Sequence, residues 1–173
     1  AGTDLSQLSE CFVLPIRDSL EGIYDTLKKT ALIHQSGGGT GFDFSPLRPE
    51  GDVVMSTKGT SSGPVSFMSI FDRSTDIIKQ GGKRRGANQG ILRIDHPDIE
   101  KFIGIKSSNP DAMSNFNLSV AVTDRFMKAV KAGRDFGLVN PRTGKTVRKV
   151  DAGKLFRRIT ESPWKYGDAC MIF

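Results

Sequence analysis

Cysteine and histidine are scarce in this 173-residue chain, which contains two of each. Cys11 and Cys170 are too few and too far apart in sequence for a disulfide scaffold or a zinc site. His34 and His96 lack the spacing of paired metal ligands. The composition therefore argues against disulfide-rich secreted domains and zinc modules, and we expect no metal site.

Long apolar runs are also missing, since none reaches the roughly eighteen residues that a membrane span requires. The first residues, AGTDLSQLSE, do not follow the basic-then-apolar pattern of a signal peptide. We therefore expect no membrane partner and a cytoplasmic location.

Positive charge is in excess, with 25 Lys and Arg against 19 Asp and Glu, a net charge of +6 and a pI near 9.5. This balance suits a partner that carries phosphate, but charge alone does not separate a nucleotide from a polynucleotide or an anionic surface. A hydrophobic content of 37% places the chain among ordinary globular proteins, for which one domain is the default.

Strand-length apolar runs alternate with helical patterns along the chain. Strands are predicted at 11–16, 41–45, 91–94, 117–122 and 170–173, helices at 19–35, from 64, and at 97–105, 123–132 and 151–162, and a hairpin at 136–150. The first helix is predicted to begin with Asp18 as N-cap and to carry one apolar stripe of Leu20, Ile23, Tyr24, Leu27 and Ala31. This alternation predicts an α/β fold with mostly parallel strands, forming a single unit over 1–173.

Three connections are rich in small and turn-forming residues, at 36–41, 46–63 and 79–90. Because ligands of α/β sheets bind where such connections gather, we expect all three at one edge of the sheet. The segment GGKRRGANQG at 81–90 places three cations between glycines. It is either a solvated basic turn or a loop that closely approaches an anionic or planar ligand.

Two common nucleotide-binding motifs are not met. Gly144, Lys145 and Thr146 could end a P-loop, but the glycine required five residues earlier is Val139. No strand leads into a Gly-x-Gly-x-x-Gly sequence that opens a helix at the required place. The stretch NPRTGK is better interpreted as a hairpin turn.

Four long stretches resemble the large catalytic chain of ribonucleotide reductase, in the adenosylcobalamin-dependent class. They are LSECFVLPIRDSLEGI, ALIHQSGGGTGFDFSPLRPEGD, SGPVSFMSIFD and KQGGKRRGANQGILRIDHPDIEKFI. The resemblance spans essentially the whole chain. It implies a fragment that covers most of the first five-stranded half of a ten-stranded α/β barrel. It also implies adenosylcobalamin as cofactor, with binding residues mostly outside this chain.

The resemblance implies that Cys11 is one of two redox-active cysteines that supply electrons for removing the ribose 2′-hydroxyl. Glu10, Cys11 and Gly39 are expected to line the ribonucleotide substrate, Glu10 through its backbone. The radical-carrying cysteine and the second redox cysteine have no counterpart here, and Cys170 matches neither. We therefore expect the isolated chain to be inactive. Without the resemblance, Cys11 would be interpreted as a small buried hydrophobe.

The resemblance also implies an effector site for a deoxynucleoside triphosphate, formed by Asp18, Ser19, Leu20 and Arg48. Asp18 is expected to accept from the ribose hydroxyl and Arg48 to contact phosphate. Residues matching the specificity loop, which is expected to read the substrate base and sense the effector, are Lys83, Arg84, Arg85, Gly86, Ala87 and Asn88.

The remaining partners implied are a thiol reductant and, for the full-length chain, a second copy in a homodimer. Whether the substrate is a diphosphate or a triphosphate stays open. A non-catalytic nucleotide-binding regulatory module is an alternative function. A basic RNA-binding domain is a weaker one, because the chain lacks the exposed aromatics interleaved on a basic face that a stacking platform needs, and no polynucleotide partner is expected.

Overall fold

A computed structural model describes residues 9–80, 84–109, 111–166 and 170–173. In chain order the strands are β1 (Cys11–Leu14), β2 (Gly39–Asp43), β3 (Val53–Val54), β4 (Gly59–Thr60), β5 (Lys79–Gln80), β6 (Arg84–Arg85), β7 (Asn88–Arg93), β8 (Phe116–Ala121), β9 (Asp135–Val139), β10 (Thr146–Asp151) and β11 (Cys170–Ile172). The helices are α1 (Leu20–Gln35), α2 (Gly63–Ile77), α3 (Ile99–Ile103), α4 (Ile105–Ser108), α5 (Asp124–Lys131) and α6 (Ala152–Tyr166).

Five strands form one parallel sheet in the order β1-β2-β7-β8-β11. Helices lie between consecutive strands of this sheet, as parallel pairing requires a crossover connection. The predicted α/β class is confirmed, and the architecture is consistent with part of an α/β barrel. The predicted hairpin is confirmed as well, because β9 and β10 pair antiparallel.

The register of the sheet decides which connections lie together. Cys11 pairs with Gly39 and Thr40 pairs with Asn88, so β1, β2 and β7 begin side by side at the amino-terminal edge. The connections that lead into β2 and β7 end at this edge, whereas the one after β2 lies at the opposite edge. The prediction that all three glycine-rich connections share one edge is therefore wrong.

The sheet buries one face against helices and leaves the other open along β1. Phe71 packs edge to face with Phe42 and Phe44, the three ring centroids lie 5.0 to 5.9 Å apart, and all three side chains are at most 1% exposed. On the opposite face, Cys11 is exposed and Val13 is 87% exposed. Because side chains alternate along a strand, Cys11 and Val13 project from the same open face.

The N-cap of helix α1 lies one residue after the predicted one. Ser19 is the N-cap, and its hydroxyl accepts from the Gly22 amide at 3.0 Å. Asp18 instead bonds Arg48, so the prediction of Asp18 as the N-cap is wrong. Local sequence favours either residue as a cap, and the distant arginine decides between them.

The apolar stripe predicted on α1 is also wrong in part. Leu20 and Tyr24 are 65% and 53% exposed, whereas the buried positions are Ile23, Thr26, Thr30 and His34. The threonine hydroxyls donate to backbone carbonyl oxygens one turn earlier, at 2.9 and 2.8 Å, so they can be buried without an unpaired donor.

The long connection at 46–63 contains more order than its composition predicts. Strands β3 and β4 pair as a short antiparallel ribbon within it. Over the described ranges, none of the helices has both the length and the apolar character needed to cross a membrane.

Candidate functional site

The amino-terminal edge of the sheet brings together the residues predicted to bind substrate. Cys11 is the strand partner of Gly39, whose amide donates to the Glu10 carbonyl at 2.6 Å. The amide of Thr40 donates to the Ala87 carbonyl at 3.1 Å, which joins the end of the predicted specificity loop to the same edge. We call Glu10, Cys11, Gly39 and Ala87 the substrate edge. Their roles toward a substrate stay predictions.

Gly39 is not required by internal packing. A Cβ at this position would lie 3.4 Å from the Ala87 carbonyl oxygen and 3.6 Å from the Glu10 carbonyl oxygen, which are ordinary contacts. The protein itself would therefore tolerate a side chain here. A glycine at this place is what close approach of a ligand to the backbone would require.

Cys11 is an exposed free thiol at the start of an edge strand of the sheet. Cys170 is also free and exposed, but it lies on β11, the strand at the other side of the five-stranded sheet. Four strand spacings amount to about 19 Å in a flat sheet, far beyond the reach of a disulfide. Cys170 therefore cannot serve as the redox partner of Cys11 in this arrangement.

The structure describes only part of the predicted specificity loop. Lys83 lies outside the described residues, and of Arg84 and Arg85 only the backbone is described, as strand β6 paired with β5. Gly86 is buried and Ala87 is exposed. Asn88 belongs to β7 and is 2% exposed, so it is a strand residue behind the edge instead of part of a loop.

A buried polar network lies behind the substrate edge and was not predicted from the sequence. His34 Nε2 donates to Thr40 Oγ1 at 3.1 Å, and Thr40 Oγ1 donates to Asn88 Oδ1 at 2.8 Å. Asn88 Nδ2 donates to Thr75 Oγ1 at 2.9 Å, and Thr75 Oγ1 donates to the Phe71 carbonyl at 2.7 Å. The sequence signal for the buried face of α1 that carries His34 is the i, i+4, i+8 spacing of polar residues at 26, 30 and 34.

Burial lowers the pKa of the His34 imidazole below its ordinary value, and the backbone of Ala87 opposes this shift. The ring is therefore neutral near pH 7. Because the Thr40 hydroxyl gives its proton to Asn88, it accepts from His34, and the imidazole carries its proton on Nε2.

A cavity of about 510 Å³ lies at the opposite edge of the sheet. All four residues predicted to hold the effector line it, namely Asp18, Ser19, Leu20 and Arg48. Its other walls include Val54, Met55, Ser61 and Phe67 from the connection after β2 and helix α2, together with Arg142. We call this space the effector cavity. Its ligand stays a prediction.

Asp18 and Arg48 form an ion pair within the effector cavity. Arg48 Nε donates to Asp18 Oδ2 at 2.9 Å, and the Arg48 amide donates to Asp18 Oδ1 at 3.1 Å. Arg48 Nη1 also donates to the Val53 carbonyl at 3.0 Å. A carboxylate has about four acceptor positions and a guanidinium has five donors, so both groups keep capacity for a ligand.

Arg142 in the β9-β10 turn was not predicted as part of any site. Its Nε and Nη2 donate to the two carboxylate oxygens of Asp52 at 2.9 and 2.7 Å, and Asn140 Nδ2 donates to the same carboxylate at 3.0 Å. The hydrogen bond from Arg142 holds the pKa of the Asp52 carboxyl well below its usual range. This pair fixes the hairpin turn against the connection after β2 and so shapes the cavity wall.

A family model described as "Ribonucleotide reductase, barrel domain" matches residues 9–173. The chain belongs to the ribonucleotide reductase family. It is 58% identical over 173 residues to the vitamin B12-dependent ribonucleoside-diphosphate reductase of Thermoplasma acidophilum, covering all of this chain and 22% of that protein. Identity to the protein of that name from Mycobacterium tuberculosis is 48% over 173 residues, again covering this whole chain and 25% of the relative.

A more distant relative is the ribonucleoside-diphosphate reductase large subunit of Caenorhabditis elegans, 37% identical over 146 residues. That match covers 82% of this chain and 18% of the relative. The chain thus spans between 18% and 25% of the length of these three curated ribonucleotide reductases.

Helix α1 separates the two sites of this ribonucleotide reductase chain. It begins at the effector cavity with Leu20 and ends beside the substrate edge with Gln35, so its 16 residues span about 24 Å. None of Gly86, Ala87 and Asn88 lines the cavity. That the loop reads the substrate and senses the effector stays a prediction.

The two imidazoles of this ribonucleotide reductase chain are not placed to ligate cobalt. His34 is 0% exposed and His96 is 2% exposed. His96 Nε2 donates to the Leu47 carbonyl at 2.9 Å, and its Nδ1 accepts from the Asp98 amide at 3.0 Å. Among the residues described, no cluster of three or more His, Cys, Asp or Glu side chains is suited to a metal ion. The expectation that the cobalamin-binding residues lie mostly outside this chain stays a prediction.

Proposed function

We propose that this chain is most of the first half-barrel of a vitamin B12-dependent ribonucleotide reductase, which reduces ribonucleotides to deoxyribonucleotides for DNA synthesis. The supporting observation is the substrate edge, where Glu10, Cys11, Gly39 and Ala87 come from three separate stretches and become direct neighbours. The names of the two relatives at 58% and 48% identity include the B12 dependence. In this proposal residues 1–173 act as one unit in the cytoplasm.

Removal of the ribose 2′-hydroxyl consumes two electrons and two protons. Cys11 and a second thiol that this chain does not contain each give one hydrogen, the two sulfurs join as a disulfide, and the hydroxyl leaves as water. Adenosylcobalamin, when bound, supplies the radical chemistry that starts the reaction. The exposure of Cys11 on the open face leaves the thiol accessible to substrate and to the thiol reductant that restores it.

The test compares the full-length protein with the 173-residue chain, both given adenosylcobalamin, a dithiol and ribonucleoside diphosphates or triphosphates. The full-length protein should form deoxynucleotides, measured by chromatography against a heat-inactivated control. The shorter chain should form none, because Cys11 has no redox partner in it.

Two outcomes would contradict this proposal in different ways. If the 173-residue chain formed deoxynucleotide, the reaction would need neither a radical nor a second thiol from another part of the protein. If the full-length protein formed no product with any of the substrates, the proposed activity itself would be wrong.

We further propose that the effector cavity binds a deoxynucleoside triphosphate and that it works across a homodimer. The described part of the specificity loop and the cavity of the same chain lie at opposite ends of the 16-residue helix α1, which is about 24 Å long. Leu20 and Tyr24, one turn apart on α1, form an exposed apolar stripe at 65% and 53% exposure, and Leu32 is 57% exposed near the end of the helix. Exposed apolar side chains that adjoin on one face are typical of a protein interface. A second copy of the chain packed against this face of α1 would bring its own loops to the cavity.

The homodimer is tested by Tyr24→Lys in the full-length protein. Placing a charge in the apolar stripe should raise the dimer dissociation constant by about tenfold or more, because interface aromatics contribute strongly to binding. Sedimentation velocity with and without each of the four deoxynucleoside triphosphates measures this. Val147→Lys, at an apolar position on β10 with 53% exposure, is the matched control. An unchanged dimer, or equal disruption by Val147→Lys, would contradict the interface.

A further inference from the structure

Four buried side chains from four separate elements form one hydrogen-bonded chain behind the substrate edge. His34 lies in the last turn of α1, Thr40 lies in β2, Asn88 opens β7 and Thr75 lies in α2. Their exposures are 0%, 5%, 2% and 1%. Thr40, Asn88 and Thr75 each both donate and accept, so removal of one hydroxyl or amide breaks the chain on both of its sides.

This network is tied directly to the substrate edge. Thr40 immediately follows Gly39, and Asn88 immediately follows Ala87. The Thr40 amide also donates to the Ala87 carbonyl, so side-chain and backbone bonds join the same two strands at the same level. The Asn88 side chain therefore adds a second connection, beside the backbone bond, that holds this edge in place.

Gly86, the last buried residue before the edge, packs against the same network. A Cβ at Gly86 would lie 2.8 Å from Thr75 Cγ2 and 3.0 Å from His34 Nδ1, so a side chain would collide with both. His34 Nδ1 is itself buried, and the backbone of Ala87 acts on the same ring. The His34 ring, Thr75 and Gly86 therefore pack against one another directly behind the substrate edge.

We infer that His34, Thr40 and Thr75 are positioning residues for substrate selection, which act through Asn88 to hold the end of the specificity loop at the substrate edge. This inference rests on the proposed ribonucleotide reductase function and deepens it. None of the three side chains reaches solvent, so they act on the substrate only through the residues that they hold.

The test uses Thr40→Val and Thr75→Val in the full-length protein, since valine keeps the shape of threonine and removes the hydroxyl. Competing ribonucleotides are supplied together with one deoxynucleoside triphosphate, and the ratios of the deoxynucleotides formed are measured. We expect the preference for the favoured base to fall by about tenfold. Thr40→Ser and Thr75→Ser keep the hydroxyl and should restore most of the preference.

A product ratio from one mixture does not depend on how much of the variant is folded, so partial unfolding does not mimic the expected result. His34→Phe is a second variant that fills the ring site and removes the first hydrogen bond, with the same loss expected. Thr30→Val is the matched control, because Thr30 is buried one turn earlier on α1 and its hydroxyl donates to the Thr26 carbonyl of its own helix.

An unchanged preference in both valine variants and in His34→Phe would overturn the positioning role, as would an equal loss in Thr30→Val. A wild-type protein that forms no deoxynucleotide would overturn the proposed function and this inference with it. That failure is recognised in the wild-type sample, before any variant is compared.

Discussion

Replacing Cys11 with serine in the full-length enzyme is expected to abolish multiple turnover with a dithiol reductant, down to the level of a heat-inactivated control. A serine hydroxyl fills the space of the thiol but cannot be oxidised to a disulfide, so the two electrons are not delivered. Substrate binding should remain nearly intact. The backbone bond from Gly39 to Glu10 that forms the edge beside Cys11 does not involve the sulfur.

Turnover is measured as deoxynucleotide formed per enzyme over many cycles, and substrate binding by equilibrium dialysis. Cys170→Ser is the matched control, because Cys170 is also a free, exposed cysteine that begins a strand of the same sheet. It should turn over like the wild type. If Cys11→Ser kept wild-type turnover, Cys11 would be an ordinary strand residue, and the redox role would be removed.

The order of elements could be predicted from the sequence because it depends on local periodicity. The apolar run at 11–16, the stripe after Pro64 and the alternation at 117–122 each led to the correct kind of element, and the α/β class followed from their order. The bounds differ by a few residues. Strands β2 and β7 begin before their apolar runs, at Gly39 and Asn88, because neighbouring strands supply hydrogen-bond partners that the local sequence does not show.

The errors on α1 have a non-local cause. Asp18 is as good an N-cap as Ser19, but it is drawn to Arg48, which lies 30 residues away. Tyr24 is apolar and exposed, while Thr30 is polar and buried, because a threonine hydroxyl can bond within its own helix. Periodicity alone cannot show that a threonine whose hydroxyl bonds within its own helix is buried while a tyrosine on the same helix is exposed.

The position of the sites relative to each other also required the structure. The resemblance assigned residues to a substrate group and an effector group, and each group does form one neighbourhood. Sequence could not show that the two lie at opposite ends of α1, because this follows from strand direction and register. Nor could it show the network from His34 to Thr75, whose members become neighbours only when β2 pairs with β7.

Replacing Arg48 with alanine is expected to weaken binding of deoxynucleoside triphosphates to the full-length protein by about 100-fold, equivalent to ~2.7 kcal/mol. The variant loses the predicted phosphate contact and also the two bonds that orient Asp18 and anchor the Val53 carbonyl. Arg48→Lys should lose about tenfold, because an ammonium group cannot keep both of these bonds and also reach a phosphate.

Affinity is measured by equilibrium dialysis with each of the four deoxynucleoside triphosphates at one fixed ionic strength, because exposed charges are screened by salt. Arg73→Ala makes the same change in net charge on α2, where the Arg73 side chain is 76% exposed, and should leave affinity unchanged. In Arg48→Ala, product ratios should stop responding to the effector while basal reduction continues, because Cys11 lies at the other edge of the sheet. Wild-type affinity in Arg48→Ala, or an equal loss in Arg73→Ala, would mean that the cavity does not recognise a nucleotide phosphate through Arg48.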